Sequence, residues 1–438
     1  MKILNSIVLT AAITTAACGG GSDSDTDAAS GLDGAPTADG GDRPQAAADR
    51  TRDIVSTGIE LDLAAERGTA TLELVPSETS TGLTLERGDL SITSVTGAGG
   101  GALNYDLEGD EVNIGLPFNA TQVVIAYQFA DHAAFDGWDP AAGLSFLWPT
   151  FCGNLFPCHS DPADGSTFTL AVTGLPDGAT AVYPTSIPSE APSYMPAIAV
   201  GVFTDVDLGT TTAGTAVHAW HLPGQEAATT TGTAHLRDVV DFYERTYGAY
   251  SFGDTVGSVS ASWGPGAYGG MEHHPFWHVA TDAMSDEETH AHEAAHGWFG
   301  DAVRLRCWED FVLSEGTVTY LAARALGAVA GSAKEHQIWA SYQERLDALP
   351  RNSKAAWPTG CGKVDILRDG LFSEVPYMRG AFFYKAVAEA IGVVELDGVL
   401  ARFYLEHQGR AAGMQDMLDA IQHDTGFDPR ALVEKWLR

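Results

Sequence analysis

His292-Glu293-Ala294-Ala295-His296, then eighteen intervening residues, then Glu315 within Leu313-Ser314-Glu315-Gly316, is the stretch that decides the reading of this chain. On a helix, residues four apart share a face, so His292 and His296 aim at one point. A catalytic zinc takes three protein ligands of the His/His/Glu kind and keeps a fourth position for water. The spacing therefore predicts one Zn2+ held by His292, His296 and Glu315, the last delivered by a second helix. Glu293 stays off the metal and is placed to take a proton from water. The competing reading is a solvated polar stripe, because alanine-rich helices produce the pentapeptide by chance. Two features oppose it. Ser285 with Glu288 reads as a capping box that starts the helix. Gly297-Trp298-Phe299-Gly300-Asp301 is aromatic, which marks a buried segment.

The chain has 438 residues, room for two or three domains. Its 58 acidic and 24 basic residues give a formal charge of -34. Such a surface repels nucleic acid and anionic headgroups, so no nucleic-acid partner is expected. Lys2 followed by the short apolar run from Ile3 to Ala17 reads as an export signal, too short for a transmembrane helix. Thr15-Ala16-Ala17-Cys18 resembles a bacterial lipobox, with threonine where leucine is usual. This predicts a lipid anchor on Cys18, with a plain cleaved signal as the alternative. Residues 19–51 are Gly-, Ser-, Asp- and Ala-rich and read as a disordered tether. The expected location is outside the cytoplasm, anchored or secreted. Cys152, Cys158, Cys307 and Cys361 remain. Two disulfides are expected, with Cys152–Cys158 and Cys307–Cys361 favoured among three pairings.

Residues 52–231 read as β-rich. Ile59, Leu61 and Leu63 alternate with polar residues, as do Ala70, Leu72 and Leu74, then Val123, Ile125 and Tyr127, then Phe168, Leu170 and Val172. This pattern predicts an antiparallel sandwich or saddle. Residues 232–438 read as helix-rich, with one short β-like stretch from Val256 to Ser262 ahead of a glycine-rich run from Gly264 to Gly270. Helices are expected over 234–247, 286–298, from Glu315 through Ala330, and over 334–349, 380–391, 396–407 and 414–423, with a last one capped by Asp428.

Gly269-Gly270-Met271-Glu272-His273 precedes the zinc helix, and Tyr377-Met378-Arg379-Gly380 follows it. With Trp298-Phe299-Gly300 and Ser314-Glu315-Gly316, these elements resemble the aminopeptidase N family of gluzincin zinc metallopeptidases, strongly from residue 240 onward. The resemblance implies a multidomain α+β fold: a β sandwich or saddle followed by a thermolysin-like, mostly helical zinc peptidase domain. It implies that Glu272 binds the free α-amine of a peptide substrate, which is largely cationic at neutral pH. Gly269, Gly270 and Met271 then meet the substrate backbone. Glu293 is the general base, and Tyr377 donates a hydrogen bond to the oxyanion.

This chain departs from the family pattern in several places. His273 replaces the family asparagine, and Arg379 stands in the lysine place. Residues 150–158 lack the acid or glutamine that helps hold the amine. No C-terminal helical domain is expected to roof the cleft. His273, His274, His278 and His290 crowd the region and are read as satisfied polar groups in preference to a second metal site. The alternatives to an aminopeptidase are a zinc endopeptidase or other zinc hydrolase, or a non-catalytic surface-binding lipoprotein.

Overall fold

The period-two segments are strands, and their apolar positions line one side. In the computed structural model, which describes residues 44–133, 135–147, 149–263, 269–366 and 368–438, Ile54–Asp62, Arg67–Leu74 and Gln122–Gln128 are neighbours in a six-stranded sheet. Ile59 pairs with Ala70, and Ala70 with Ile125, so these buried side chains stack across the sheet. The all-antiparallel expectation needs correction. Ile54–Asp62 also pairs in parallel with Ser166–Thr173. Parallel neighbours need a long crossover, and residues 63–165 supply it. Three further strands (Gly82–Glu86, Glu111–Gly115, Tyr105–Glu108) and a four-stranded sheet complete this half.

The expectations for the export signal and Cys18, and for the tether up to residue 43, lie outside the described residues. Residues 44–51, read as the tether's end, instead lie against the sheet. The Asp49 amide donates to Thr84 Oγ1 at 2.7 Å, and Asn104 Nδ2 donates to the Pro44 carbonyl at 3.1 Å.

The second half is less purely helical than expected. Thr204–Thr210, Ala216–His221, Thr255–Ala261, Phe276–Ala280 and Gly270–Met271 form one mixed sheet in that order. Its first two strands precede residue 232 and pair onward into Thr255–Ala261. Gly270–Met271 lies at the sheet's end, antiparallel to Phe276–Ala280. The helices are α1 (Glu226–Gly232), α2 (Leu236–Tyr247), α3 (Glu287–Ala295), α4 (Phe311–Ala330), α5 (Ser332–Asp347), α6 (Glu374–Ile391), α7 (Val393–His407), α8 (Met414–Thr425) and α9 (Arg430–Trp436). One buried apolar cluster runs through both halves, from Ile54 to Leu437. Among the described residues no helix is long and apolar enough to cross a membrane.

Three helix ends differ from the expected ones. Asp286, not Ser285, caps α3: its carboxylate accepts from the Glu288 amide at 3.2 Å and from Thr289 Oγ1 at 2.9 Å. A charged cap also suits the positive end of the helix dipole. That helix closes at Ala295, with His296 as C-cap rather than mid-helix. Helix α6 begins at Glu374, six residues before the expected start, because Pro376 falls in the first turn, where its missing N–H costs nothing. Tyr377 is thereby inside the helix rather than ahead of it. The favoured cysteine pairs are the ones brought together: Cys152 and Cys158 sulfurs lie 1.95 Å apart, Cys307 and Cys361 sulfurs 2.06 Å.

Candidate metal centre and cleft

Helix α3 packs on α4, and the two deliver three ligand atoms to one point. His292 Nε2 lies 3.2 Å from Glu315 Oε2, His296 Nε2 lies 3.5 Å from the same oxygen, and the two Nε2 atoms are 3.3 Å apart. A tetrahedral ion with ligand bonds of about 2.0–2.1 Å has ligand–ligand edges of about 3.3 Å. The triangle matches that edge on all three sides, so the donor set fits zinc in size and in chemistry.

The surroundings orient these donors. His296 Nδ1 faces the Phe299 carbonyl at 3.2 Å and Ser314 Oγ at 3.3 Å, leaving Nε2 for a metal. Gly300 adopts φ +112, and a Cβ there would sit 2.6 Å from His296 Nδ1. Asp301, next in the chain, is fully buried and accepts from Tyr194 Oη of the β-rich half at 3.0 Å.

Burial opposes a charge on His296, but the Glu315 and Glu272 carboxylates outweigh it and push the imidazole up to about 10. Burial would raise Glu315, yet His296 and His292 pull it down to about 2. The same field that holds a proton among these three groups favours a divalent cation in its place.

The cleft over this triangle has a volume of about 370 Å³, and all its lining residues fall between Gly269 and Tyr377. Glu272 and Glu293 reach the same spot: one carboxylate oxygen from each and a His296 nitrogen all lie within 4.8 Å of one another. Burial pushes the Glu293 carboxyl well above its ordinary value. His296 opposes the rise, and Glu272 and Glu315 add to it. Burial likewise raises Glu272. The Tyr377 ring stacks on His292, with centroids 5.9 Å apart and planes at 17°. Gly269, Gly270 and Met271 line the same cleft. Every residue expected at the site from the sequence is therefore in one place.

The crowded histidines have other partners. His274 commits Nδ1 to Tyr250 Oη and Nε2 to the Glu293 carbonyl, both at 2.8 Å, and burial pushes it down to about 3. His290 commits its nitrogens to Ser258 Oγ and the Met284 carbonyl. The His273 and His278 rings meet edge to face, with Nδ1 atoms 3.4 Å apart. Arg379 does not line the cleft; its Nη1 donates to the Arg438 carbonyl at 3.4 Å.

Sequence reading missed three supports. A Cβ on Gly270 would lie 2.3 Å from Glu293 Oε1, so the missing side chain makes room for that carboxylate. Gly316 and Gly380 form the α4–α6 crossing: a Cβ on Gly380 would lie 2.4 Å from the Gly316 Cα. Each glycine stands within three residues of a site residue, Glu315 or Tyr377, and that adjacency was the available signal. Thr289, Arg345, Phe372 and Glu374 also line the cleft and carried no motif, and Glu288 lines it too, though its sequence signal was a helix cap.

Comparison with known proteins agrees with this geometry. Residues 274–436 match the model of the peptidase family M1 domain. Leucine aminopeptidase 2-1 of Meyerozyma guilliermondii is 26% identical over 333 residues, covering 71% of this chain and 52% of its own length. Leucine aminopeptidase 2 of Ajellomyces capsulatus is 30% identical over 152 residues, covering 32% of this chain and 24% of its own. The chain thus spans about half the length of the first of these relatives. The fold is similar to the M1 zinc metallopeptidase of Deinococcus radiodurans, with TM-score 0.76, 20% identity and coverage of 89% of this chain and 95% of that one. It is also similar to yeast LTA4 hydrolase, with TM-score 0.72, 20% identity and coverage of 88% and 68%. Both likenesses concern architecture: a sheet-rich N-terminal part followed by a helical one.

Proposed function

We propose that this chain, whose residues 274–436 match the peptidase family M1 domain, is a zinc-dependent aminopeptidase that removes N-terminal residues from peptides. The observation that carries the reading is the convergence on His296 of three different functions: the ligand triangle with His292 and Glu315, the Glu293 carboxylate, and the Glu272 carboxylate. A polar patch has no reason to bury three carboxylates around two imidazoles, because each unpaired buried charge is costly.

His292, His296 and Glu315 would hold the ion, which when bound supplies Lewis acidity toward the scissile carbonyl and a nearby water. Glu293, whose carboxylate reaches the same spot as His296, accepts the proton from that water and returns it to the leaving amine. Glu272 receives the substrate ammonium and so sets the chain end at the reacting centre. The sheet-end strand Gly270–Met271 offers backbone groups to the substrate main chain. Tyr377 donates its hydroxyl hydrogen to the developing oxyanion. Crystal structures of a glutamate-to-alanine mutant of a two-domain M1 zinc metallopeptidase hold L-tryptophan or L-arginine, and one of such a mutant from Deinococcus radiodurans holds the peptide Tyr-Ser-Ala, in keeping with a peptide substrate here.

A second reading, zinc endopeptidase, is favoured by one feature: among the described residues none that lines the cleft precedes Gly269, so Glu272 would anchor the amine without help from a described residue of the β-rich half. Purified protein offered an aminoacyl chromogenic substrate, free and N-acetylated, separates the two. An aminopeptidase cleaves the free form, and Glu272→Ala lowers that cleavage far more than any cleavage of the blocked form. Equal cleavage of both forms sinks the proposal and supports the endopeptidase. Export to an oxidising compartment, with a lipid on Cys18, is part of the same proposal; it rests on the N-terminal sequence and on the two bonded cysteine pairs.

A further inference from the structure

We propose that Arg345 is a positioning residue for Tyr377, acting by bridging helices α3 and α6 at the wall of the cleft. The inference rests on the aminopeptidase reading above. Helix α5 carries none of the residues assigned to the chemistry, yet it cross-links every helix that does. Arg345 Nε donates to Glu374 Oε2 at 2.8 Å, and its Nη1 forms an ion pair with Glu288 Oε2 at 3.9 Å. Glu374 stands three residues before Tyr377 on α6, and Glu288 four residues before His292 on α3, so each shares a helix face with its neighbour. The bridge therefore runs one turn away from, and alongside, the stacked pair His292–Tyr377.

Tyr342, three residues before Arg345, strengthens the same clamp. Its hydroxyl donates to Glu288 Oε1 at 2.7 Å and lies 3.2 Å from the Thr319 carbonyl of α4, one turn past Glu315. Its ring lies under the Arg345 guanidinium, 5.6 Å from centroid to Cζ. The charged partners are partly exposed: 35% for the Arg345 side chain, 22% for Glu288 and 49% for Glu374. Pairs so exposed add little to folding stability. The effect of the bridge should therefore appear in the placement of Tyr377 rather than in the stability of the fold. A displacement of about 1 Å in a catalytic group costs about 10²-fold in rate, and loss of an oxyanion donor costs about 10²–10³-fold.

The test is steady-state kinetics on a free aminoacyl substrate, with zinc content measured on each protein, for R345A, R345K, E374Q, Y377F and the double variant Y377F/R345A. R345A and E374Q should lower kcat by about 10-fold or more, with KM within about twofold of wild type and zinc content unchanged. R345K should recover part of the loss, because an ammonium reaches one carboxylate at a time where the guanidinium reaches two. The double variant should be no slower than Y377F alone, since a misplaced donor and a missing one are the same defect. A rise in KM at constant kcat, which would make Arg345 a substrate contact, overturns the inference. So do unchanged kinetics, or a further loss in the double variant. E374Q, altered at a half-exposed carboxylate, carries the test should R345A fail to fold. Wild-type protein inactive on free-amine substrates would overturn the aminopeptidase reading itself; active wild type with unaffected R345A and E374Q overturns only the positioning role.

Discussion

Gly270→Ala is a one-methyl perturbation aimed at the general base from the neighbouring strand. The added Cβ would lie 2.3 Å from Glu293 Oε1 and 2.5 Å from its Cδ and Cγ. Ordinary carbon contacts begin near 3.4 Å, so the carboxylate must retreat by about 1 Å, a shift that costs a catalytic group about 10²-fold. General-base catalysis as a whole contributes about 10²–10⁴-fold, so the variant should lose a large part of what Glu293 supplies. The three atoms nearest that Cβ all belong to Glu293 and none to His292, His296 or Glu315, and the strand pairs to Phe276–Ala280 through backbone groups that alanine keeps. Alanine also narrows the unfolded ensemble relative to glycine. Metal content and melting temperature should therefore stay near wild type while kcat falls about 10²-fold. The assay is kcat on a free aminoacyl substrate, with zinc measured on the same preparation. In a Glu293→Gln background the alanine should add no further loss of kcat, because the group it displaces no longer acts. A Gly270→Ala enzyme with near-normal kcat, or one whose defect persists in full beside Glu293→Gln, would refute the packing argument.

Glu293→Gln itself should retain the metal and lose about 10²–10⁴-fold in turnover; zinc loss measured in that variant would contradict its assignment as base rather than ligand. Gly380→Ala should destabilise the fold by about 1–3 kcal/mol through overpacking at the α4–α6 crossing, read from the urea midpoint; an unchanged midpoint refutes the contact. His159 offers a pH test away from the cleft. Burial alone would lower it, but its hydrogen bond to Asp164 and that carboxylate's charge, with the Thr84 carbonyl, hold its pKa above the ordinary value. A raised folded pKa means that the folded state binds the proton more tightly. The stabilisation is full below the unfolded value of about 6.5 and is lost as pH rises through the folded one. The stability gap between wild type and His159→Gln should shrink as pH climbs above about 6.5, and a gap that is flat or widens refutes it.

The ligand triangle was legible because helical periodicity is local: four residues of separation place His292 and His296 without any knowledge of the fold. Glu315 was read from its spacing of eighteen residues after that pair, whereas Glu272 and Tyr377 were reachable only through the order of motifs, since the sheet and helices that bring them together are not written in any one segment. The strand alternation around Ile59, Ala70 and Ile125 gave the β-rich half, but the parallel pairing of Ile54–Asp62 with Ser166–Thr173 joins segments more than a hundred residues apart. No local pattern distinguishes that partner from another. The expected start of α6 at residue 380 falls six residues late: Pro376 lies in the first turn, where it interrupts no hydrogen bond.

What stayed hidden shares one physical character: it consists of space left empty or of groups that touch no substrate. Gly270 matters for the atoms it lacks, since the Glu293 carboxylate occupies the volume a side chain would take. Gly316 and Gly380 matter because their helices approach at the backbone, carrying Glu315 and Tyr377 into the same cleft. These glycines couple the parts of the site. The Gly270–Met271 strand, proposed to present backbone to the substrate, is also the surface against which Glu293 rests, so on that reading a substrate that shifts Gly270 shifts Glu293 with it. Glu272, the proposed amine anchor, directly follows that strand, so the proposed amine-capture and proton-transfer groups meet on one short segment. This coupling gives a free ammonium an influence on kcat as well as on binding, and it is why Glu272→Ala should depress turnover at saturating substrate and not merely raise KM.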